Sequence, residues 1–321
     1  MNKPETHPNV QKQVRFLEIE ALQAGQRIDN FLFKTLKDVP KGHIYRLLRT
    51  GQIRINKGRI KPVYRLKAGD ILRLPPLFHQ PKSEENTVGP SKIWLERLKN
   101  SVLYEDGELL VINKPSGLAV HGGSGIHFGV IEGLRALYSD APYLELVHRL
   151  DRDTSGCLLI AKKPAMLRYL HELLRNNQLG KYYLALMQGD WEARMSAVNV
   201  PLKKNTLKSG ERLVRVDKTG KPALTHFHFK KQYPGACLVE AKLTTGRTHQ
   251  IRVHAQYSEH PLAGDEKYGD AEFNQYLRSQ KKLRRLFLHA YRIIFTLPDS
   301  DKKLEVIAPL PAELDSVLQQ L

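Results

Sequence analysis

The chain has 321 residues, 41% hydrophobic and 26% charged, so it can bury a sizeable core without disulfides or a structural metal. Lysine and arginine number 51 against 33 acidic residues, a formal net charge of +18 that favours a polyanionic partner such as nucleic acid. No run of 18 apolar residues occurs and the first residues (MNKPETHPNVQKQ) lack the apolar stretch of a signal peptide, so no membrane partner is expected and a cytoplasmic location is.

In chain order, residues 1–24 read as an N-terminal tail and residues 25–75 as a small basic module. The module holds thirteen Lys or Arg and three acidic residues, a net +10 over 51 positions, whereas the other 270 positions carry +8. Self-repelling charge of that density is kept where a partner neutralises it. Ile28, Phe31, Leu32 and Leu36 recur at helical spacing, and a second helix is predicted from about Lys41 to Thr50, stopped by Gly51. Strands are predicted at Ile53–Asn56 and Asp70–Leu74, with a turn at Lys57-Gly58. Arg46 and Arg49 on the second helix, with Arg54, Lys57 and Arg59 around that turn, are the candidate contacts to nucleic acid.

Residues 76–92, with three prolines and little periodicity, read as a linker. A larger domain, 93–321, follows. It opens on a short helix, then a hairpin with Val102–Tyr104 and Leu109–Ile112 about Asp106-Gly107. A strand at 156–162 precedes a helix at 164–177 whose inner stripe is Leu167, Leu170, His171 and Leu174. Strands are predicted at 181–188, 211–216, 223–231, 236–243 and near 291–296, with a helix at about 248–257. The fold class is therefore α+β, a largely antiparallel mixed sheet with flanking helices, plus the small basic α/β module. Cys157 and Cys237 each lie in an apolar run and read as buried free thiols.

Several chemistries lack their motifs. There is no phosphate loop ending in Gly-Lys-Ser/Thr and no GxGxxG after a strand. His121–Gly125 has Ile126 where a nucleophile elbow needs glycine, and His171-Glu172 lacks the second histidine of a zinc helix. A carboxylate is left as the natural catalytic group. The densest unusual segment is His148-Arg149-Leu150-Asp151-Arg152-Asp153-Thr154-Ser155-Gly156, at a loop-to-strand junction where catalytic groups are often held. By itself such a segment is as compatible with a solvated ion-pair turn.

This segment resembles the HRLDxxTSG signature of the RluA-type pseudouridine synthases. Asn113–Gly117, Lys181–Leu186, Thr245–His254, His260-Pro261, Gly264-Asp265 and Leu288–Ala290 extend the resemblance over roughly residues 100–310. Residues 25–75 resemble the RNA-binding module named after ribosomal small-subunit protein four. With the Val120–Gly125 loop, the arrangement is most similar to the RluC-like branch, which acts on large-subunit ribosomal RNA.

The resemblance implies isomerisation of uridine to pseudouridine with no cofactor and no metal. It makes Asp151 the catalytic carboxylate, Tyr183 the active-site aromatic and Arg252 the basic partner of the aspartate. Arg149 would fill the space left by the extruded base, and Arg247 would contact phosphate. His148, His249 and His254 are expected to be hydrogen-bonded scaffold, and Asp153 structural. The partner would be RNA, 23S ribosomal RNA or a large-subunit precursor, bound by a monomer. Alternatives are a transfer-RNA pseudouridine synthase, a non-enzymatic ribosome-assembly factor, and a metal-dependent nuclease using Asp151 and Asp153.

Overall fold

The computed structural model describes residues 13–36, 39, 41–76, 92–122, 128–206 and 212–321. The chain divides into two compact units, residues 1–87 and 88–321.

The smaller unit contains β1 (Arg15–Glu18), α1 (Ile28–Thr35), α2 (Lys41–Arg49), β2 (Arg54–Ile55), β3 (Gly58–Arg59) and β4 (Ile71–Leu74). Its strands pair antiparallel in the order β1-β4-β2-β3. Ile28, Phe31 and Leu32 of α1 and Ile44, Leu47 and Leu48 of α2 close over Ile55, Leu72 and Leu74 in one apolar core. Two expectations are corrected. Residues 15–18, read as tail, are an edge strand, because Leu17 pairs with Leu72 and lies against the core. The turn lies one residue earlier than Lys57-Gly58: Asn56 and Lys57 both adopt positive φ (48° and 67°), which matches the twist of a two-residue hairpin. Gly51 ends α2 at φ 69°, as expected. Most of the linker read at 76–92 lies outside the described residues.

The larger unit runs α3 (Lys92–Lys99), β5 (Val102–Glu105), β6 (Leu109–Lys114), α4 (Val130–Leu137), β7 (Glu145–Leu146), β8 (Ser155–Ala161), α5 (Pro164–Arg175) and β9 (Gly180–Gln188). It continues with β10 (Ala197–Asn199), β11 (Leu202–Thr206), β12 (Arg212–Val216), β13 (Leu224–Tyr233), β14 (Ala236–Leu243) and α6 (Gln250–Tyr257). It ends with α7 (Ala271–Gln280), β15 (Leu288–Thr296), β16 (Lys303–Ile307) and α8 (Ala312–Gln320). The main sheet has ten strands, ordered β10-β13-β14-β9-β15-β8-β6-β5, with β16 on β15 and β7 on β8; β11 and β12 form a separate hairpin. Among the described residues the pair β8–β15 alone is parallel.

Strand β8 (SGCLLIA) is buried at every position, the pattern of a strand covered on both faces. Leu158 and Ile160 enter the core shared with α3 and α4, while Cys157, Leu159 and Ala161 face α5. The inner stripe of α5 is Met166, Leu170 and Leu173; Leu167 and Leu174 are half-buried and His171 flanks them. Both cysteines are buried and free.

The junction of β8 with β15 has no room for a side chain. Gly156 sits at φ 112°, and a Cβ there would lie 2.2 Å from the carbonyl oxygen of Ala290. Gly156→Ala is expected to destabilise the larger unit by more than about 2 kcal/mol, through φ strain and the clash together. Urea unfolding with the Gly117→Ala variant as a positive-φ control (no neighbour within 4 Å of its Cβ position) measures the clash separately.

Candidate active site

Before β8, Leu150 is buried in the core, and the ring of His148 accepts a hydrogen bond at Nε2 from Leu159 N at 3.2 Å. Residues 148–151 all line a cleft of about 560 Å³, with Arg149 exposed and Asp151 half-buried. The following turn is gripped from behind by residues 114–117. Lys114, fully buried, donates from Nζ to the carbonyls of Pro115 (2.8 Å), Leu118 (2.9 Å) and Arg152 (3.0 Å). Gly117 N donates to Arg152 O at 2.9 Å, and Ser116 Oγ to Asp153 O at 2.7 Å. The turn that carries Asp151 is thus fixed through its backbone, which leaves the carboxylate free to face the cleft.

Arg252 and Tyr183 line the same cleft. Arg252, on α6, donates from Nε and Nη2 to Asp265 at 2.7 Å each, and its Nη1 stands 3.7 Å from Asp151 Oδ2. Asp265, fully enclosed, also accepts from Lys267 N (2.9 Å) and Tyr268 N (3.0 Å). Burial alone would raise its carboxyl, but the Arg252 hydrogen bonds and charge and the two amides hold it below the usual range. Burial likewise opposes the charge of Arg252, and the two carboxylates outweigh it. Tyr183 is buried in β9; burial, and then the charge of Asp151, push its phenol above the ordinary value, so it is a neutral donor. Its neighbour Tyr182 faces the other side of the sheet, under the guanidinium of Arg292 at 4.0 Å.

The histidines divide. His148 and His254 bond to backbone, and burial pushes them down to about 3 and about 4. His249 is closer to the chemistry than a scaffold reading implies. At φ 54° it caps α6, with Nδ1 2.8 Å from Tyr268 Oη and Nε2 3.9 Å from Asp151 Oδ2.

Arg149 and Arg247 are exposed at the cleft rim, and Arg247 Nε is engaged by Pro222 O at 3.0 Å. Asp153 pairs with exposed Arg152 and borders a different cleft, so Asp151 and Asp153 do not converge on one point. In the smaller unit Arg46, Arg49, Lys57 and Arg59 are exposed, while Arg54 spends its Nε on Gly51 O at 2.8 Å, closing the end of α2.

Asp265 is the site residue to which sequence reasoning gave no role. Gly264-Asp265 matched the family pattern, but nothing local shows that its partner lies thirteen positions earlier. The helix α7, also unpredicted, holds it: Asn274 accepts from Gly264 N at 2.7 Å and donates to Asp265 O at 3.0 Å.

The cleft thus brings together a clamped aspartate, a forked arginine and a buried tyrosine, with arginines at its rim. The family model for RNA pseudouridylate synthase matches residues 108–257, and that for the S4 domain matches 26–72. The ribosomal large subunit pseudouridine synthase C of Pasteurella multocida is 51% identical over all of this chain and 98% of its own. That of Escherichia coli K12 is 53% identical over 96% of this chain and 97% of its own. Among solved structures, human RNA pseudouridylate synthase domain containing 4 superposes with a TM-score of 0.58 at 28% identity, covering 71% of this chain and 95% of that one. The chain belongs to the RluA-type RNA pseudouridine synthases, in their synthase C branch, and is an isomerase with an S4 domain.

Two outcomes are expected. Asp265→Asn should cut turnover and lower stability together, because the buried guanidinium loses its counter-charge; breaking such a pair costs about 3–5 kcal/mol. Turnover retained with stability lost would separate Asp265 from the site. The second concerns pH. His148, His254 and His289 are pushed down to about 3, 4 and 4, so the unfolded chain binds more protons below its ordinary histidine value of about 6.5. Unfolding free energy should therefore fall as the pH drops below ~6.5, by up to about 1.4 kcal/mol per pH unit for each histidine until its folded value is reached. Urea titrations from pH 7.5 to 4.5 measure the slope.

Proposed function

We propose that this protein converts uridines of large-subunit ribosomal RNA to pseudouridine, with the Asp151 carboxylate as the catalytic group. The placement of Asp151 carries this reading: its carboxylate, 3.7 Å from Arg252 Nη1, faces a cleft large enough for an extruded base. The N-glycosidic bond of uridine is cut beside Asp151, the uracil turns, and C5 bonds to the sugar. An ionised carboxylate either bonds to the carbon it faces or stabilises positive charge there. Tyr183 holds the base, Arg149 fills the vacated stack, and Arg247 contacts phosphate. The conversion is an isomerisation, so it consumes no co-reactant, and no cofactor is proposed.

The identity over nearly full length with relatives named for the large ribosomal subunit supports that substrate over transfer RNA. The divergence of Asp151 and Asp153 argues against the nuclease reading, and the complete cleft against a non-enzymatic assembly factor. Residues 25–75 serve as the RNA-binding module, through Arg46, Arg49, Arg54, Lys57 and Arg59, and residues 93–321 as the catalytic domain. A monomer is the proposed state. The cytoplasm, where its RNA partner is made, is the proposed location; no described helix is long and apolar enough to cross a membrane.

Asp151→Asn should abolish pseudouridine in 23S ribosomal RNA while leaving affinity within a few-fold, since shape and phosphate contacts are untouched. Product formed by the purified variant at near wild-type rate would end the assignment; modification confined to transfer RNA would overturn the substrate. For the module, replacing Arg46, Arg49 and Lys57 together by Gln should flatten the log–log salt dependence of RNA affinity by roughly 2–3 units, at about 0.7–0.9 for each phosphate no longer neutralised. Filter binding from low to physiological salt reads it, and an unchanged slope would exclude these three.

A further inference from the structure

The cleft contains a cation that Asp151, Tyr183 and the three arginines leave without a task. Lys181 lies on β9 two positions before Tyr183, and so on the same face of the strand, and both line the cleft with Asp151. Its ammonium is close to the Gly246 backbone: a Cβ on Gly246 would be 3.5 Å from Lys181 Nζ. Among the described residues it has no hydrogen-bond acceptor and no carboxylate partner. Lys114, the fully buried lysine near the site, has three carbonyls around Nζ. Burial pushes the Lys181 ammonium below its ordinary value, with no carboxylate to offset it. A half-buried ammonium that lines a cleft and has no protein partner is available to a ligand.

The reaction identifies that ligand. When the bond between C1′ and N1 breaks, its electron pair leaves with the uracil, and negative charge spreads onto the two ring carbonyl oxygens. The positive charge left at C1′ faces Asp151. A ring electron pair then forms the bond from C5 to C1′, the C5 hydrogen leaves as a proton, and N1 takes one up. The cation needed is therefore one that faces the base from the tyrosine side of the cleft. We propose that Lys181 donates a hydrogen bond to a carbonyl oxygen of the extruded uracil and carries the charge that develops on the base as the glycosidic bond breaks. The inference rests on the reading that the target uracil enters this cleft. The exposed Arg149 and Arg247 remain for the vacated stack and for phosphate, both of which lie outside the pocket that holds a flipped base.

The test is Lys181→Met, which fills the same space without charge, with Lys181→Gln as a second variant. Single-turnover rates at saturating ribosomal RNA, dissociation constants and thermal unfolding are measured for both. The rate constant should fall by about 10²–10³, the loss typical of removing one donor aimed at developing charge. RNA affinity should stay within a few-fold, and Lys181→Met should melt at or above the wild-type temperature. A phosphate anchor would give the reverse kinetic pattern, weaker binding with an unchanged saturated rate, and that would overturn the proposal. So would a lower melting temperature in both variants, which would reveal a structural partner. Wild-type enzyme and Asp151→Asn run on the same RNA keep the two readings apart. An inactive wild type would count against the choice of substrate, and an active Asp151→Asn against the chemistry assigned to the cleft. A slow Lys181→Met beside an active wild type and an inactive Asp151→Asn would support both.

Discussion

The site depends on how one guanidinium is shared. Arg252 gives two of its three nitrogens to Asp265 in a planar fork, which fixes the direction of the third, toward Asp151. A lysine could neutralise the carboxylates, but its single nitrogen could not form the planar fork that sets this direction. Asp265 tolerates its burial because four donors satisfy it: two from Arg252 and the amides of Lys267 and Tyr268. The rest of the site is arranged around this angle. Helix α6 brings the arginine, the 264–268 turn brings its anchor, and Asn274 of α7 holds that turn by two hydrogen bonds.

The electrostatics of the cleft follow from what is kept neutral. Burial holds His148 uncharged and Tyr183 protonated, so neither competes with the ion pair. A charge facing an enclosed site acts through a lower effective dielectric than one at the rim and is worth correspondingly more. The arginines at the rim stay exposed to solvent.

The sequence made the strands and their faces legible where local patterning suffices. The all-apolar run of β8 marks a central strand, the Asp106-Gly107 turn marks a hairpin, and Gly51 marks the end of α2. The Asp151 loop was legible through its family signature, since an Asp and Arg beside a strand are otherwise indistinguishable from an ion-pair turn. Other features were not read from the sequence, α4, β7, β10, β11 and β16 among them. Helices α7 (AEFNQYLRSQ) and α8 (AELDSVLQQ) bury a narrow apolar edge, and their polar residues blur the helical period. Strand β1 is half exposed at a sheet edge, so Phe16 points to solvent and the alternation is weak. The pairing of Arg252 with Asp265 is a tertiary relation, and residue types alone do not specify it.

The meeting of β8 with β15 sets the order in which the protein can mature. Ser155 Oγ lies 2.9 Å from the ring of His289, a contact spanning 134 positions of chain. At translation rates of about 5–20 residues per second, the strand that completes the sheet beside the Asp151 loop is made roughly 7–27 s after the loop itself. The smaller unit closes its core within the first quarter of the chain. The nascent polypeptide therefore has its basic module well before it has a finished sheet at the cleft. Contacts of such long sequence separation also form slowly once the chain is complete. The capacity to grip RNA precedes the capacity to alter it.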